Sequence, residues 1–158
     1  MITMEWNGTL FQFRAAALIW SHGHLLIHRD TRVNFWALPG GRVEFGELAI
    51  EALQREMHEE LNSATKVGPL RFVIESCGKT ESGKLQEIGF YFDVQLENPP
   101  RFHENDIVYR CVDGEADLEY RWALPSPDIL KRFDFRPDII SDKLQHRSDG
   151  VLHLAVHE

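Results

Sequence analysis

The segment from Gly41 to Ser63, which reads GRVEFGELAIEALQREMHEELNS, constrains the fold of this chain more than any other. Its central part carries apolar side chains at the spacing of one helix face. These side chains are Ile50, Leu53, Met57 and Leu61. The pattern predicts an α-helix over residues 47–61 whose apolar stripe packs on the core. Asn62 is expected to end this helix, because asparagine tolerates the left-handed terminal conformation.

The same predicted helix carries three carboxylates, Glu56, Glu59 and Glu60, at spacings that bring them close together. Like charges this close repel one another, so the cluster indicates a bound cation. Carboxylate oxygens are the ligands that hard divalent cations such as Mg²⁺ prefer. The small side chains of Ala49 and Ala52 leave space for a ligand beside them. Without further context, an acidic helix face is more often solvated surface than a metal site.

Length and composition limit the class of protein. The 158 residues suit a single domain over residues 1–158, and 43% of them are hydrophobic, which supplies a core. A net charge of −8 argues against broad binding to nucleic acid or to anionic membranes. The two cysteines are isolated, and neither a signal peptide nor a membrane-spanning apolar run is visible. A cytoplasmic protein is therefore expected.

Local sequence patterns place the other elements around this helix. Alternating, β-branched and aromatic residues predict strands at residues 10–20, 24–28, 34–38, 70–77, 87–96, 107–111, 118–124 and 151–157. Two further helices are expected at residues 127–133 and 137–144, each with proline in its first turn. Pro39-Gly40-Gly41 is expected to end the third strand. Strands on both sides of a central helix, followed by late helices, predict an α/β fold with a mixed β-sheet sandwiched between α-helices.

Seven residues of the segment stand at a fixed spacing: Gly41, Glu47, Arg55, Glu56, Met57, Glu59 and Glu60. This spacing resembles the Nudix box, which is Gly, five residues, Glu, seven residues and then Arg-Glu-apolar-x-Glu-Glu-x-Gly-apolar. The preceding FWALPGG also resembles the lead-in of that family. Two positions depart from the box, since Asn62 replaces a glycine and Ser63 replaces an apolar residue. The resemblance implies the Nudix fold and a MutT-like Nudix hydrolase.

The resemblance also implies a reaction. The enzyme would be a metal-dependent hydrolase that cleaves a phosphoanhydride (pyrophosphate) bond in a nucleoside diphosphate linked to another moiety, such as a nucleoside triphosphate or a nucleotide sugar. The implied ligands of Mg²⁺ or Mn²⁺ are Glu56, Glu59, Glu60 and the backbone carbonyl of Gly41. Arg55 and Glu47 would orient and support these ligands. Bound cations of this kind neutralise phosphoryl oxygens and make a water nucleophilic.

The box does not fix the general base. Glu115, in an acidic run late in the chain, is one candidate base, and Glu87 is another. Acidic residues are mostly exposed at protein surfaces, which favours the interpretation of either residue as a surface acid without a catalytic role. In a regular hairpin, the side chains of three histidines would point to the same face of the sheet: His22, His24 and His28. A histidine metal site there is an alternative, but nothing supplies a fourth ligand at a recognisable spacing.

Two other classes of function stay open at this point. A non-catalytic nucleotide-binding or sensing module on the same fold would be favoured by loss of a box carboxylate, and here none is lost. An isomerase or another metal enzyme is also compatible, since a fold does not fix a function. The expected partner is a small-molecule nucleotide, with no membrane and no broad nucleic-acid binding. The resemblance adds a homodimer as an expected assembly, because dimers are frequent in the family.

Overall fold

A computed structural model describes residues 2–146 and 149–157 of the chain. The described residues form ten strands, two α-helices and one 3₁₀ turn. The strands are β1 (Thr3–Trp6), β2 (Thr9–Leu18), β3 (Trp20–Ser21), β4 (His24–Asp30), β5 (Gly40–Arg42), β6 (Thr65–Thr80), β7 (Gly83–Leu96), β8 (Tyr109–Asp113), β9 (Ala116–Ala123) and β10 (Leu152–His157). The helices are α1 (Ala49–Leu61) and α2 (Pro127–Arg132), and the 3₁₀ turn is Asp138–Ile140.

The strands form two sheets. The larger is a six-stranded mixed sheet in the order β1-β2-β7-β6-β10, with β5 paired to β2. Within it β2 runs parallel to β7 and β10 runs parallel to β6, while the other pairs are antiparallel. The smaller is a four-stranded antiparallel sheet in the order β3-β4-β9-β8.

The two helices cover opposite faces of the mixed sheet. Successive side chains of a strand point to opposite faces, and β2 shows this directly. Ala15 and Ala17 join the apolar cluster that contains the buried apolar residues of α1. Ala16 and Leu18 join a second cluster, which contains Leu130 of α2. The predicted α/β fold, a mixed sheet with a helix on each face, is therefore confirmed.

Helix α1 begins and ends as local sequence chemistry dictates. The Glu51 side chain accepts a hydrogen bond of 2.7 Å from the backbone N–H of Leu48, which satisfies a donor that the first turn leaves free. Asn62 adopts φ 48° and ψ 41°, the left-handed conformation predicted for it, and its N–H donates to the carbonyl of His58 at 3.0 Å. The helix starts two residues later than the predicted range of 47–61.

The buried face of α1 is wider than the predicted apolar stripe, and one stripe residue lies outside the core. Ile50 is 42% exposed, so its assignment to the buried stripe was wrong. The buried residues of the helix are Ala52, Leu53, Glu56, Met57, Glu60 and Leu61. Leu53, Met57 and Leu61 of the predicted stripe are buried, and the buried face extends beyond them to Glu60, Glu56 and Ala52. Ile50 lies in the first turn, at the N-terminal end of the helix. The Glu56 carboxylate lies against Gly41 of β5, and Glu60 accepts a hydrogen bond from Tyr120 of β9.

The predicted strand at residues 34–38 is wrong. Only Ala37 of that range forms β-bridges, one to His28 and one to Arg136. Regular pairing begins three residues later, at Gly40, where β5 lies against β2. The expectation that Pro39-Gly40-Gly41 ends pairing was therefore wrong. Gly40 has φ 151°, and a Cβ there would lie 2.1 Å from the carbonyl oxygen of Ala15. Glycine is what lets the two backbones approach this closely.

Other boundaries shift in smaller ways. The predicted helix at 137–144 is instead the short 3₁₀ turn followed by irregular turns, and β1 lies outside every predicted strand. β6 and β7 are longer than predicted, so their connection shrinks to residues 81–82. No helix in the described part of the chain has the length and hydropathy needed to cross a membrane.

Candidate active site

The carboxylate of Glu56 lies against the backbone of β5. A Cβ built on Gly41 would lie 2.2 Å from the carboxyl carbon of Glu56 and 2.2 Å from its Oε1. A real Cβ has no room at that distance, so any larger residue at position 41 would displace the carboxylate. The spacing between the glycine and the glutamate in the motif therefore has a physical cause, which is direct contact between them.

Arg55 holds this region together through its guanidinium group. Its Nε and Nη2 donate to the two oxygens of Glu47 at 2.8 and 3.0 Å, a bidentate pair. Nη1 donates to Glu56 Oε1 at 2.7 Å, and Nη2 also donates to the carbonyl of Arg42 at 3.1 Å. The hydrogen bonds from Arg55 hold the pKa of Glu47 below its usual range. These contacts join Glu47, Arg55 and Glu56, and the orienting role of Arg55 and Glu47 stays a prediction.

Glu59 lies at the rim of the same group. Its side chain is 48% exposed, and its Oε2 lies 3.5 Å from Nη1 of Arg55. The sequence allowed Arg55 to pair with either Glu59 or Glu51 at four-residue spacing. The structure shows the pair with Glu59, because Glu51 caps the start of α1 instead.

Glu60 is the most deeply buried acid of the motif, with 4% of its surface exposed. The hydroxyl of Tyr120 in β9 donates a hydrogen bond to its Oε2. Nδ1 of His28 in β4 lies 3.8 Å from the same oxygen and has no hydrogen-bond partner in residues 2–146 and 149–157. Burial raises the pKa of Glu60 to about 8, opposed by the Tyr120 hydrogen bond and reinforced by the nearby charge of Glu56.

Glu56 and Glu60 meet a third acid, Asp113, at the end of β8. One oxygen from each of Glu56, Glu60 and Asp113 lies within 4.8 Å of the others. Burial raises the pKa of Glu56 as well, although Arg55 opposes the shift. Burial and the neighbouring acids disfavour the charged forms of Glu56 and Glu60, and a bound cation would stabilise those charged forms. An all-oxygen set of this kind fits a hard divalent cation such as Mg²⁺ or Mn²⁺.

Glu115, which was predicted as a candidate base, belongs to the same acidic run as Asp113. The structure places Glu115 in the turn between β8 and β9, with its side chain 97% exposed and 3.9 Å from Arg32. It is not brought to the carboxylate group, whereas Asp113 is. The signal that separates them is the pairing of β8 with β9, which places Asp113 opposite Ala116. The two-residue turn Gly114-Glu115, with glycine at its first position, is the local signal that could have predicted this hairpin.

The histidine alternative finds no support in the described ranges, since no cluster of potential metal ligands there contains a histidine. Nδ1 of His24 contacts the backbone carbonyl of His22. The ring of His22 stacks on Phe102, whereas His28 lies beside Glu60. Glu87 is hydrogen-bonded to Gln12 on the neighbouring strand. The alternative base Glu87 is thus engaged within the sheet.

Comparison with known proteins identifies the family. Residues 11–133 match the sequence model of the NUDIX domain, which spans most of the chain and includes the whole carboxylate group. The chain belongs to the Nudix family. It is a MutT-like Nudix hydrolase, as the motif spacing predicted.

Several curated proteins and solved structures resemble this Nudix hydrolase. The nucleoside triphosphatase NudI of Escherichia coli O81 (strain ED1a) is 30% identical over 110 residues, covering 63% of this chain and 67% of that protein. The CTP pyrophosphohydrolase of Escherichia coli (strain K12) is 27% identical over 122 residues, covering 75% and 87%. A MutT protein structure from Bacillus halodurans has a TM-score of 0.58 at 20% identity, covering 92% and 89%, and this likeness supports the fold.

Proposed function

We propose that this Nudix hydrolase uses Mg²⁺ or Mn²⁺ to cleave a phosphoanhydride bond in a nucleoside triphosphate. The observation that carries the proposal is the meeting of Glu56, Glu60 and Asp113 beside the Arg55 guanidinium. Two relatives named for hydrolysis of nucleotides support the substrate class, a nucleoside triphosphatase and a CTP pyrophosphohydrolase. These names favour a triphosphate over a nucleotide sugar, which was the other predicted substrate.

Each residue has a proposed role. The cation ligands we propose are Glu56, Glu59, Glu60 and the Gly41 carbonyl, with Asp113 added from the structure. A bound cation supplies neutralisation of charge on the phosphoryl oxygens and acidification of a water. Arg55 keeps the Glu56 carboxylate in place and so preserves the ligand geometry, while Glu47 holds Arg55.

The general base is a separate question. Glu115 stays a sequence-based prediction for that role. Its exposed position means that the β8–β9 turn would have to bend toward the carboxylates for Glu115 to reach a water there. Asp113 already lies beside Glu56 and Glu60, so the role proposed for it is that of a cation ligand.

The remaining sequence-based predictions complete the proposal. We propose a single domain over residues 1–158, located in the cytoplasm and acting on a free nucleotide. The net charge of −8 supports a small substrate over broad nucleic-acid binding. The predicted homodimer also stays a proposal.

A nucleotide screen tests the reaction. The full chain is incubated with nucleoside triphosphates, oxidised triphosphates and nucleotide sugars, with Mg²⁺, with Mn²⁺ and with a chelator. We expect cation-dependent release of a nucleoside monophosphate and pyrophosphate from a triphosphate, identified by ³¹P NMR. Nucleotide binding without product under every cation condition would contradict the proposal and would favour a sensing module. Equal turnover in chelator would contradict the metal requirement.

A further inference from the structure

Tyr120 makes the one hydrogen bond that Glu60 accepts in the described part of the chain. Its side chain is fully buried in β9, and its hydroxyl donates to Glu60 Oε2. Burial and the neighbouring Glu60 raise the pKa of the Tyr120 phenol, so the group stays a protonated donor. Glu60 Oε2 is therefore already engaged by a neutral donor that the motif does not include.

The two oxygens of Glu60 differ in their surroundings. Oε2 faces Tyr120 and His28, while Oε1 accepts no hydrogen bond from residues 2–146 or 149–157. A carboxylate with one oxygen occupied by a phenol has the other oxygen available as a ligand. The bond also fixes the side chain on its rotamer, because Tyr120 is immobilised by packing against His28 and Tyr109 at ring-centroid distances of 5.2 and 5.9 Å.

We propose that Tyr120 is a positioning residue for the divalent cation, holding Glu60 so that it offers a single oxygen to the ion together with Glu56 and Asp113. The inference rests on the proposed function, since it concerns the same carboxylates. It assigns a role to a residue outside the Nudix motif. Mg²⁺ favours strict octahedral geometry with few carboxylates and several waters. A carboxylate restrained to one oxygen meets that preference and leaves coordination positions for phosphate oxygens.

Removal of the hydroxyl alone tests the role. Tyr120→Phe keeps the buried ring, and Tyr109→Phe is the matched control, because Tyr109 lies beside Tyr120 on β8 and makes no hydrogen bond to Glu60. Mn²⁺ binding to each full-length protein is measured by EPR without substrate. Loss of a group that orients a metal ligand typically costs 10–100-fold in affinity, so we expect Tyr120→Phe to bind Mn²⁺ roughly 10-fold more weakly. Tyr109→Phe should bind like the unaltered protein.

The Mg²⁺ dependence of the rate separates a positioning role of Tyr120 from general damage to the fold. The Mg²⁺ concentration for half-maximal rate should rise about as much as the Mn²⁺ dissociation constant in Tyr120→Phe. The maximal rate at saturating Mg²⁺ should recover most of its value, which a distorted core would not allow. If the variant fails to fold, the unaltered protein still gives a test. Adding Mg²⁺ should then perturb the near-ultraviolet absorption of tyrosine in both the unaltered protein and Tyr109→Phe.

The outcomes distinguish the inference from the function on which it rests. If the unaltered protein binds Mn²⁺ and Tyr120→Phe binds it equally well, the role of Tyr120 is overturned and the hydrolase assignment stands. Equal weakening in Tyr120→Phe and Tyr109→Phe, or no change in tyrosine absorption on adding Mg²⁺, also overturns the role. If the unaltered protein binds no Mn²⁺, the proposed metal-dependent function fails, and the inference fails with it.

Discussion

Replacement of Glu56 by Gln is expected to lower kcat by about 10³-fold, equivalent to about 4 kcal/mol of transition-state stabilisation. Glu56 contacts Gly41 and Arg55 and meets Glu60 and Asp113, so it lies at the centre of the proposed cation site. Glutamine keeps the shape and removes the charge, and its neutral amide oxygen is a weaker ligand for a hard cation than a carboxylate. Steady-state rates at several Mg²⁺ concentrations give the effect.

The matched control is Glu51→Gln on the same helix. Glu51 accepts a hydrogen bond from Leu48 N–H, and a glutamine carbonyl can accept the same bond. This variant removes the same charge from α1 while preserving its first turn, so its rate should stay within about two-fold of the unaltered protein. Comparable activity of Glu56→Gln and Glu51→Gln would show that the Glu56 carboxylate is not part of the chemistry.

Substitution of Gly41 by Ala is expected to lower the rate by about 10²-fold, since displacing a catalytic group by about 1 Å can cost that much. The new Cβ would meet the Glu56 carboxyl carbon at 2.2 Å, so the side chain has to move away from Arg55 and from the other acids. The atoms that yield belong to a side chain, which keeps the fold. Rates and thermal unfolding of the variant are measured together.

Gly40→Ala provides the contrast, because its Cβ would meet backbone. The nearest atoms are the Ala15 carbonyl oxygen at 2.1 Å and the Ala16 Cα at 2.7 Å, and φ is 151°. Neither can move without breaking the pairing of β5 with β2, so we expect a loss of about 3 kcal/mol or more in the free energy of unfolding. If Gly41→Ala loses as much stability as Gly40→Ala while keeping its rate, the proposed contact between Gly41 and Glu56 does not control the chemistry.

The helix was predictable because its signals are local. Apolar spacing placed α1, and the chemistry of Asn62 placed its end. The width of its buried face was not predictable, because Glu56 and Glu60 are buried beside the apolar stripe. Glu56 lies against Gly41, and Glu60 accepts a hydrogen bond from Tyr120. Those partners are distant in sequence, and no helical period reveals them.

Pairing between distant strands limited the rest of the fold prediction. The parallel pairs of β2 with β7 and β6 with β10 join residues far apart in the chain, so no turn signal announces them. Strand β5 was missed for a related reason. Gly40 was interpreted as a break in pairing, whereas its missing side chain allows the close approach of β2.

Prediction of the candidate site likewise succeeded for residues close in sequence and failed for residues that strand pairing brings to the site. The motif spacing grouped Gly41, Glu47, Arg55, Glu56 and Glu60, and the structure brings these positions together around α1. Asp113 and Tyr120 come from the β8–β9 hairpin and were not selected. In an acidic run, the residue that faces the site is decided by strand register, and a shift of one residue turns a side chain to the other face.

Anomalous diffraction from crystals of the full chain soaked in Mn²⁺ tests the central claim most directly. Manganese scatters anomalously, so its position is measured without reference to activity. We expect a peak within about 2.5 Å of carboxylate oxygens from both Glu56 and Glu60, a distance typical of carboxylate–cation bonds. A well-occupied manganese peak elsewhere on the chain, with none between Glu56 and Glu60 at saturating Mn²⁺, would contradict it.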